Sequence, residues 1–162
     1  MFVFAIGEIK EQWKKYLLIG LLVLCVMAVI LIVLYINGTK MPRSATCDEL
    51  GEFYLQVQDG SQEIEFLKQF GLEVDETSLV SDEVVIPSFF NETYTKYNRL
   101  QKKIGLDLSN YKGVTAKRNI YKLNNYDKNG NDCYVTLLIY NECVIGGHIG
   151  TKEYGVDYSP LI

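Results

Sequence analysis

The sequence predicts an α+β protein. An N-terminal transmembrane helix precedes a small domain in which two helices pack on an antiparallel sheet ending in a three-stranded meander. Three observations carry this expectation. Residues 17–36 are an unbroken apolar run, two later segments repeat apolar residues at helical spacing, and the C-terminal third alternates apolar and polar residues around hairpin signals.

The apolar run from Leu17 to Ile36 holds no charge and no strongly polar side chain. As a helix it rises about 30 Å, the thickness of a bilayer's hydrocarbon core. Buried core helices rarely run so long without one polar position. A cleaved signal peptide has a shorter apolar region and a small-x-small cleavage site. Here the run leaves through Tyr35-Ile36-Asn37-Gly38-Thr39-Lys40-Met41-Pro42, with no Ala-x-Ala pattern. In Ser44-Ala45-Thr46-Cys47 a serine stands where a lipoprotein site wants an aliphatic residue. The expectation is therefore an uncleaved signal-anchor in the cell membrane. Lys10, Lys14 and Lys15 outweigh Lys40 and Arg43, which points the N-terminal tail to the cytoplasm. Trp13, Tyr16 and Tyr35 stand where interfacial aromatics belong. The expected organisation is a cytoplasmic tail over 1–15, an anchor over 16–36, a juxtamembrane linker over 37–58 and an extracytoplasmic domain over 59–162.

Within that domain the first helix is expected from about Ser61 to Phe70, capped by Asp59 or Ser61, with Ile64, Phe66, Leu67 and Phe70 on its apolar face. Gly71 ends it. Leu72-Glu73-Val74 and Glu83-Val84-Val85-Ile86 read as strands. A second helix spans roughly 88–104, opened by Pro87 or Ser88 and closed by Gly105, with Phe90, Tyr94, Tyr97, Leu100 and Ile104 as a core-facing stripe. Asn129-Gly130 is the strongest hairpin signal, joining a strand near 114–125 to one near 132–140; Asn141-Glu142 turns into 143–149. If both loops hold two residues, Tyr121, Leu123, Tyr134, Leu138, Tyr140, Ile145 and Ile149 share the core face, and Val135, Leu137, Ile139, Val144 and His148 the other. Cys133 and Cys143 then point apart, so any disulfide needs Cys47.

No catalytic, cofactor-binding or metal-binding residue is assigned from the sequence. His148 is the only histidine, too few ligands for zinc, and it reads as a surface or edge-strand residue. Gly146-Gly147 lacks the following helix of a phosphate loop, and close backbone packing or a bulge explains it. Asp127-Lys128-Asn129-Gly130-Asn131-Asp132 fails the calcium-loop pattern at Asp132 and Leu138. The sequons at Asn37 and Asn91 carry little weight. Charge is segregated more strongly: residues 44–86 hold eleven acidic residues against one lysine, and residues 96–128 nine basic against two acidic. Lys96, Arg99, Lys102 and Lys103 read as the solvated face of the second helix. The anchor and the net charge of −4 disfavour nucleic acid.

Met1-Phe2-Val3-Phe4, Tyr97-Asn98-Arg99-Leu100-Gln101, Gly105-Leu106-Asp107-Leu108, Tyr111-Lys112-Gly113 and Val144-Ile145-Gly146-Gly147 are similar to one bacterial family. The chain resembles the membrane-anchored proteins of domain of unknown function 4830, found mainly in Gram-positive Firmicutes, over the anchor and from about residue 60 onward. His148 departs from the acidic residue expected in that family after the glycine pair. The resemblance implies a topology and a bacterial envelope, and no activity or functional residue. The functional expectation is a non-enzymatic, membrane-tethered interaction or sensing domain. Residues 17–36 meet the lipid bilayer, and another envelope protein or an anionic wall polymer is the expected partner. The competing readings are an envelope hydrolase using Asp107, His148 or a tyrosine, and an accessory subunit of a membrane complex, to which Gly20 alone lends little.

Overall fold

A computed structural model describes residues 2–38, 41–128, 131–151 and 158–162. The chain forms two compact units, residues 1–40 and 41–162. The first is helix α1, Phe2–Gly38. Its segment Trp13–Val33 has a mean hydropathy of 3.2 and is long and apolar enough to cross a membrane. Every side chain in that segment is exposed, which an apolar surface of this size does not sustain in water.

The second unit is α+β, as expected. It opens with a hairpin of β1 (Ser44–Cys47) and β2 (Gly51–Tyr54), within the stretch expected as a linker. Phe53, Leu55 and Val57 are buried in its core. Helix α2 (Gly60–Gln69) starts at Asp59, whose side chain accepts from the Gln62 amide. It ends where Gly71 takes φ 69°, letting the Gly71 and Leu72 amides reach back to the Lys68 and Leu67 carbonyls.

Strand β3 (Val74–Val85) unites the two short strands expected there, with a register break between Asp75 and Val80. Helix α3 (Glu92–Lys103) begins four residues later than the apolar stripe suggests. The Asn91 side chain caps it through the Tyr94 amide, and Phe90 lies before the cap with its ring 4.7 Å from that of Tyr94. A 3-10 turn at Leu108–Tyr111 leads to β4 (Thr115–Lys128), β5 (Asn131–Tyr140) and β6 (Cys143–Thr151). The four-stranded sheet has the order β3-β4-β5-β6, all antiparallel. Lys128 pairs with Asn131, while the turn residues Asn129 and Gly130 lie outside the described residues. Asn141 and Glu142 turn with φ 47° and 58°, the double positive φ of a two-residue hairpin.

The allotment of residues to sheet faces is corrected by two irregularities. Between Lys122 and Asp127 the β4–β5 pairing slips, so Lys122 faces Tyr134 where an unbroken two-residue-loop register puts Leu137. Between Leu138 and Ile139 the β5–β6 pairing slips again, with Ile145 as the inserted residue. Each slip is odd, and an odd slip exchanges the faces. Tyr121 therefore shares a face with Val135 and Ile149, whereas Tyr134 shares one with Lys122 and Gly150, and His148 one with Thr136.

Both faces are consequently covered, each by one helix. On one face, Phe66 and Leu67 of α2 join Tyr121, Leu123, Cys133, Val135, Leu137, Val144 and Ile149 in the main core. On the other, Tyr94 and Tyr97 of α3 pack on a smaller cluster of Ile86, Leu108, Ala116, Leu138 and Ile145. All four cysteines are free thiols. The β6 edge is closed at both ends: Leu55 and Val57 bond to Val144 and Glu142, and Ser159 bonds both ways to Ile149.

Candidate functional site

Helix α3 and the 3-10 turn cover only part of their face, and His148 sits at the boundary. Its Nδ1 lies 2.9 Å from the Tyr97 hydroxyl. The Tyr158 ring lies 4.2 Å from the imidazole, centroid to centroid, and packs over Gly150, where an added Cβ would meet it at 3.0 Å. Tyr97 and Tyr158 also meet edge to face at 5.9 Å. Beyond this aromatic knot the part of the sheet that α3 does not cover lines a cavity of about 240 Å³. Val80, Ile120 and Tyr134 give it apolar walls; Arg118, Thr136 and His148 give it polar points. Arg118 grips Asp82 of the neighbouring strand with both Nε and Nη2.

Burial pushes the His148 pKa down to about 4, with the Arg118 charge adding to the effect. Burial likewise raises the Tyr97 hydroxyl above its ordinary range, so it keeps its proton. The pair is therefore neutral at pH 7 and holds the imidazole by one neutral hydrogen bond. A general base needs a pKa near the working pH and, in hydrolytic triads, a carboxylate behind it. Among the described residues no carboxylate is hydrogen-bonded to His148, and the one hydroxyl that is, that of Tyr97, is held in its protonated, poorly nucleophilic form by burial.

Asp107 is occupied elsewhere. It caps the 3-10 turn, accepting from Ser109 and from the Asn98 side chain, with Lys102 Nζ at 3.0 Å. Burial works against its charge, yet these partners together hold its pKa well below the usual carboxylate range. Asn91 is a helix cap, its side chain engaged on Tyr94. The glycine pair is explained by closeness: a Cβ on Gly146 would press on Leu108 and Gln101, and one on Gly147 on Leu161 and the Thr136 carbonyl. Lys96, Arg99, Lys102 and Lys103 are exposed on α3, the solvated face expected of them. No group of three or more metal-ligating side chains occurs among the described residues.

The segregated charges meet across the sheet. The acidic β3 pairs with the basic β4, setting Glu83 opposite Lys117, Asp82 opposite Arg118 and Asp75 opposite Lys122. The sequence reading missed the partners of His148. Tyr97 was legible as a core-facing residue of α3, but the two register slips hid that His148 turns toward it.

A family model described as Domain of unknown function (DUF4830) matches residues 66–149, from the middle of α2 to the end of the sheet. The match takes in Tyr97, Arg118 and His148 and leaves the apolar helix outside. No curated protein and no solved structure matches the chain.

Proposed function

The chain belongs to the DUF4830 family, and from that premise we propose that it is a membrane-tethered, extracytoplasmic sensing domain that binds a small ligand without transforming it. In this reading residues 1–15 are a cytoplasmic tail, residues 16–36 an uncleaved anchor in the cell membrane of a Gram-positive bacterium, and the folded unit stands outside, behind a tether. The exposed apolar surface of α1 and the lysines on its N-terminal side support the anchor and its orientation.

One observation carries the binding role: a cavity on the part of the sheet that α3 does not cover, ending at a neutral His148 that no carboxylate among the described residues supports. Preformed concave sites with apolar walls and a few polar points are where small molecules bind. The same observation weighs against the hydrolase reading, because the imidazole lacks both the pKa and the orienting partner that the chemistry needs.

The test has two arms. Protease shaving of intact cells is expected to remove the folded unit and leave the anchor protected; full protection overturns the orientation. The purified full chain, incubated with the low-molecular-mass fraction of medium conditioned by its own cells, is expected to retain a compound and release it chemically unchanged. Conversion of that compound to a product overturns the non-enzymatic reading.

A further inference from the structure

The cavity beside His148 has a size and a charge balance that restrict what enters it. At about 240 Å³ it exceeds the roughly 150 Å³ of an apolar cavity that admits benzene. That is room for one ring with a short substituent. Tyr134, Tyr158 and His148 contribute aromatic surface, and Val80 and Ile120 aliphatic surface, a lining suited to a flat apolar body.

Charge decides the substituent. Among the described residues Arg118 is the one ionised side chain lining the cavity, and Asp82 is one partner of its guanidinium, engaged through two nitrogens. An anionic ligand has to compete with that carboxylate for a bidentate, charge-assisted pair. A cationic ligand meets the guanidinium, and among the described residues no acidic side chain lines the cavity to receive it. Either charge enters a mostly apolar space without a full partner, which is costly. A neutral polar group, by contrast, finds matched chemistry. With Nδ1 engaged by Tyr97, the His148 Nε2 has no hydrogen-bond partner among the described residues, and Thr136, on the same sheet face, lines the same space.

Resting on the reading of this cavity as a binding site, we infer that its ligand is an uncharged, ring-bearing small molecule with one short hydrogen-bonding group. Benzamide, benzoate and benzamidinium make the test, since they share a shape and differ in charge. Each is titrated onto the full chain in lipid nanodiscs and followed by saturation-transfer NMR. Val80→Trp narrows the cavity at a position already 58% exposed, so the fold tolerates it. Val85→Trp, on the same strand with its side chain on the opposite face, is the control. Benzamide is expected to bind at least about tenfold more tightly than either ion, and to lose that signal in Val80→Trp but not in Val85→Trp. Equal or tighter binding of an ion, still abolished by Val80→Trp, overturns the ligand class and leaves the site standing. No signal sensitive to Val80→Trp for any of the three overturns the site and the inference together.

Discussion

The two faces of the sheet are built from the same four strands and finished differently. Under α2 the covering helix brings phenylalanine and leucine, and Phe53, Phe66 and Phe70 meet in an aromatic cluster with centroids 5.0–6.3 Å apart. One carboxylate enters that core: Glu63, 3% exposed, accepts from the Asn119 amide at 2.6 Å and the Tyr121 hydroxyl at 2.7 Å. Under α3 the most buried helix side chains are Asn98 and Gln101, spent on the backbone of the 3-10 turn and of Gly147. Four tyrosines and Phe90, all only partly buried, close that side, and a cavity remains. The contrast teaches that one face is committed to holding the domain together, while the other is positioned by polar contacts and keeps room for function.

The largest expected effect tests that division directly. Phe66 is 2% exposed and in contact with two aromatic neighbours, so Phe66→Ala removes a full aromatic side chain from a closed core. Such truncations cost about 3–5 kcal/mol. Tyr94 on α3 is half-buried, and Tyr94→Ala is expected to cost roughly half as much. Denaturant unfolding of the full chain measures both. Equal losses at the two positions erase the contrast between the faces.

How far this contrast was legible in the sequence depends on the element. The helices were legible because their caps and apolar spacing are local: Asp59, Gly71 and Gly105 mark ends that a linear reading finds. The start of α3 was misplaced because Phe90 continues the apolar period although Asn91 is the cap. The assignment of residues to faces failed for a non-local reason. A strand's pattern has period two, so one bulge exchanges inside for outside, and Val135 to Ile139 are buried on both faces and give no alternation to correct the error. The cavity was hidden with it, since placing His148 away from Tyr134 separates two residues that line one space. The charge segregation was visible, but its meaning was not. What reads along the chain as an acidic and a basic half is, across β3 and β4, a set of facing pairs.

The next effect, smaller, separates the faces by pH. His148 belongs to the open face, and its folded pKa of about 4 lies below the unfolded value of about 6.5. Between those values the unfolded chain binds the proton more readily, so stability is complete above about pH 6.5 and declines as pH falls toward 4. At about 1.4 kcal/mol per pKa unit the total is of the order of 3 kcal/mol. The ionised carboxylates with lowered pKa, Asp59, Asp75, Asp82 and Asp107, lose their contribution only below their unfolded value of 3.8. This window therefore belongs to the single histidine. His148→Gln is expected to flatten the stability profile between pH 6.5 and 4 while leaving the acid limb below it; a slope unchanged in that variant removes the histidine from the account.

The smallest effect asks whether α3 is held by its own local chemistry as well as by the sheet. Asn91 accepts from the Tyr94 amide at 2.8 Å at an exposed helix start, so Asn91→Ala leaves an N-terminal donor to water and is expected to cost about 1 kcal/mol. Asn91→Asp keeps the acceptor and adds a negative charge at the positive end of the helix dipole, and is expected to restore the loss. Because the helix also carries Tyr97, the same pair of variants reads on the cavity. If α3 frays when uncapped, the Tyr97–His148 contact loosens and benzamide binding weakens in Asn91→Ala more than in Asn91→Asp. If binding is indifferent to both, Gln101 and Asn98, with the packing of Tyr94 and Tyr97, hold the helix in place without its cap. The open face then owes its geometry to buried amides and tyrosine packing rather than to the end of its helix.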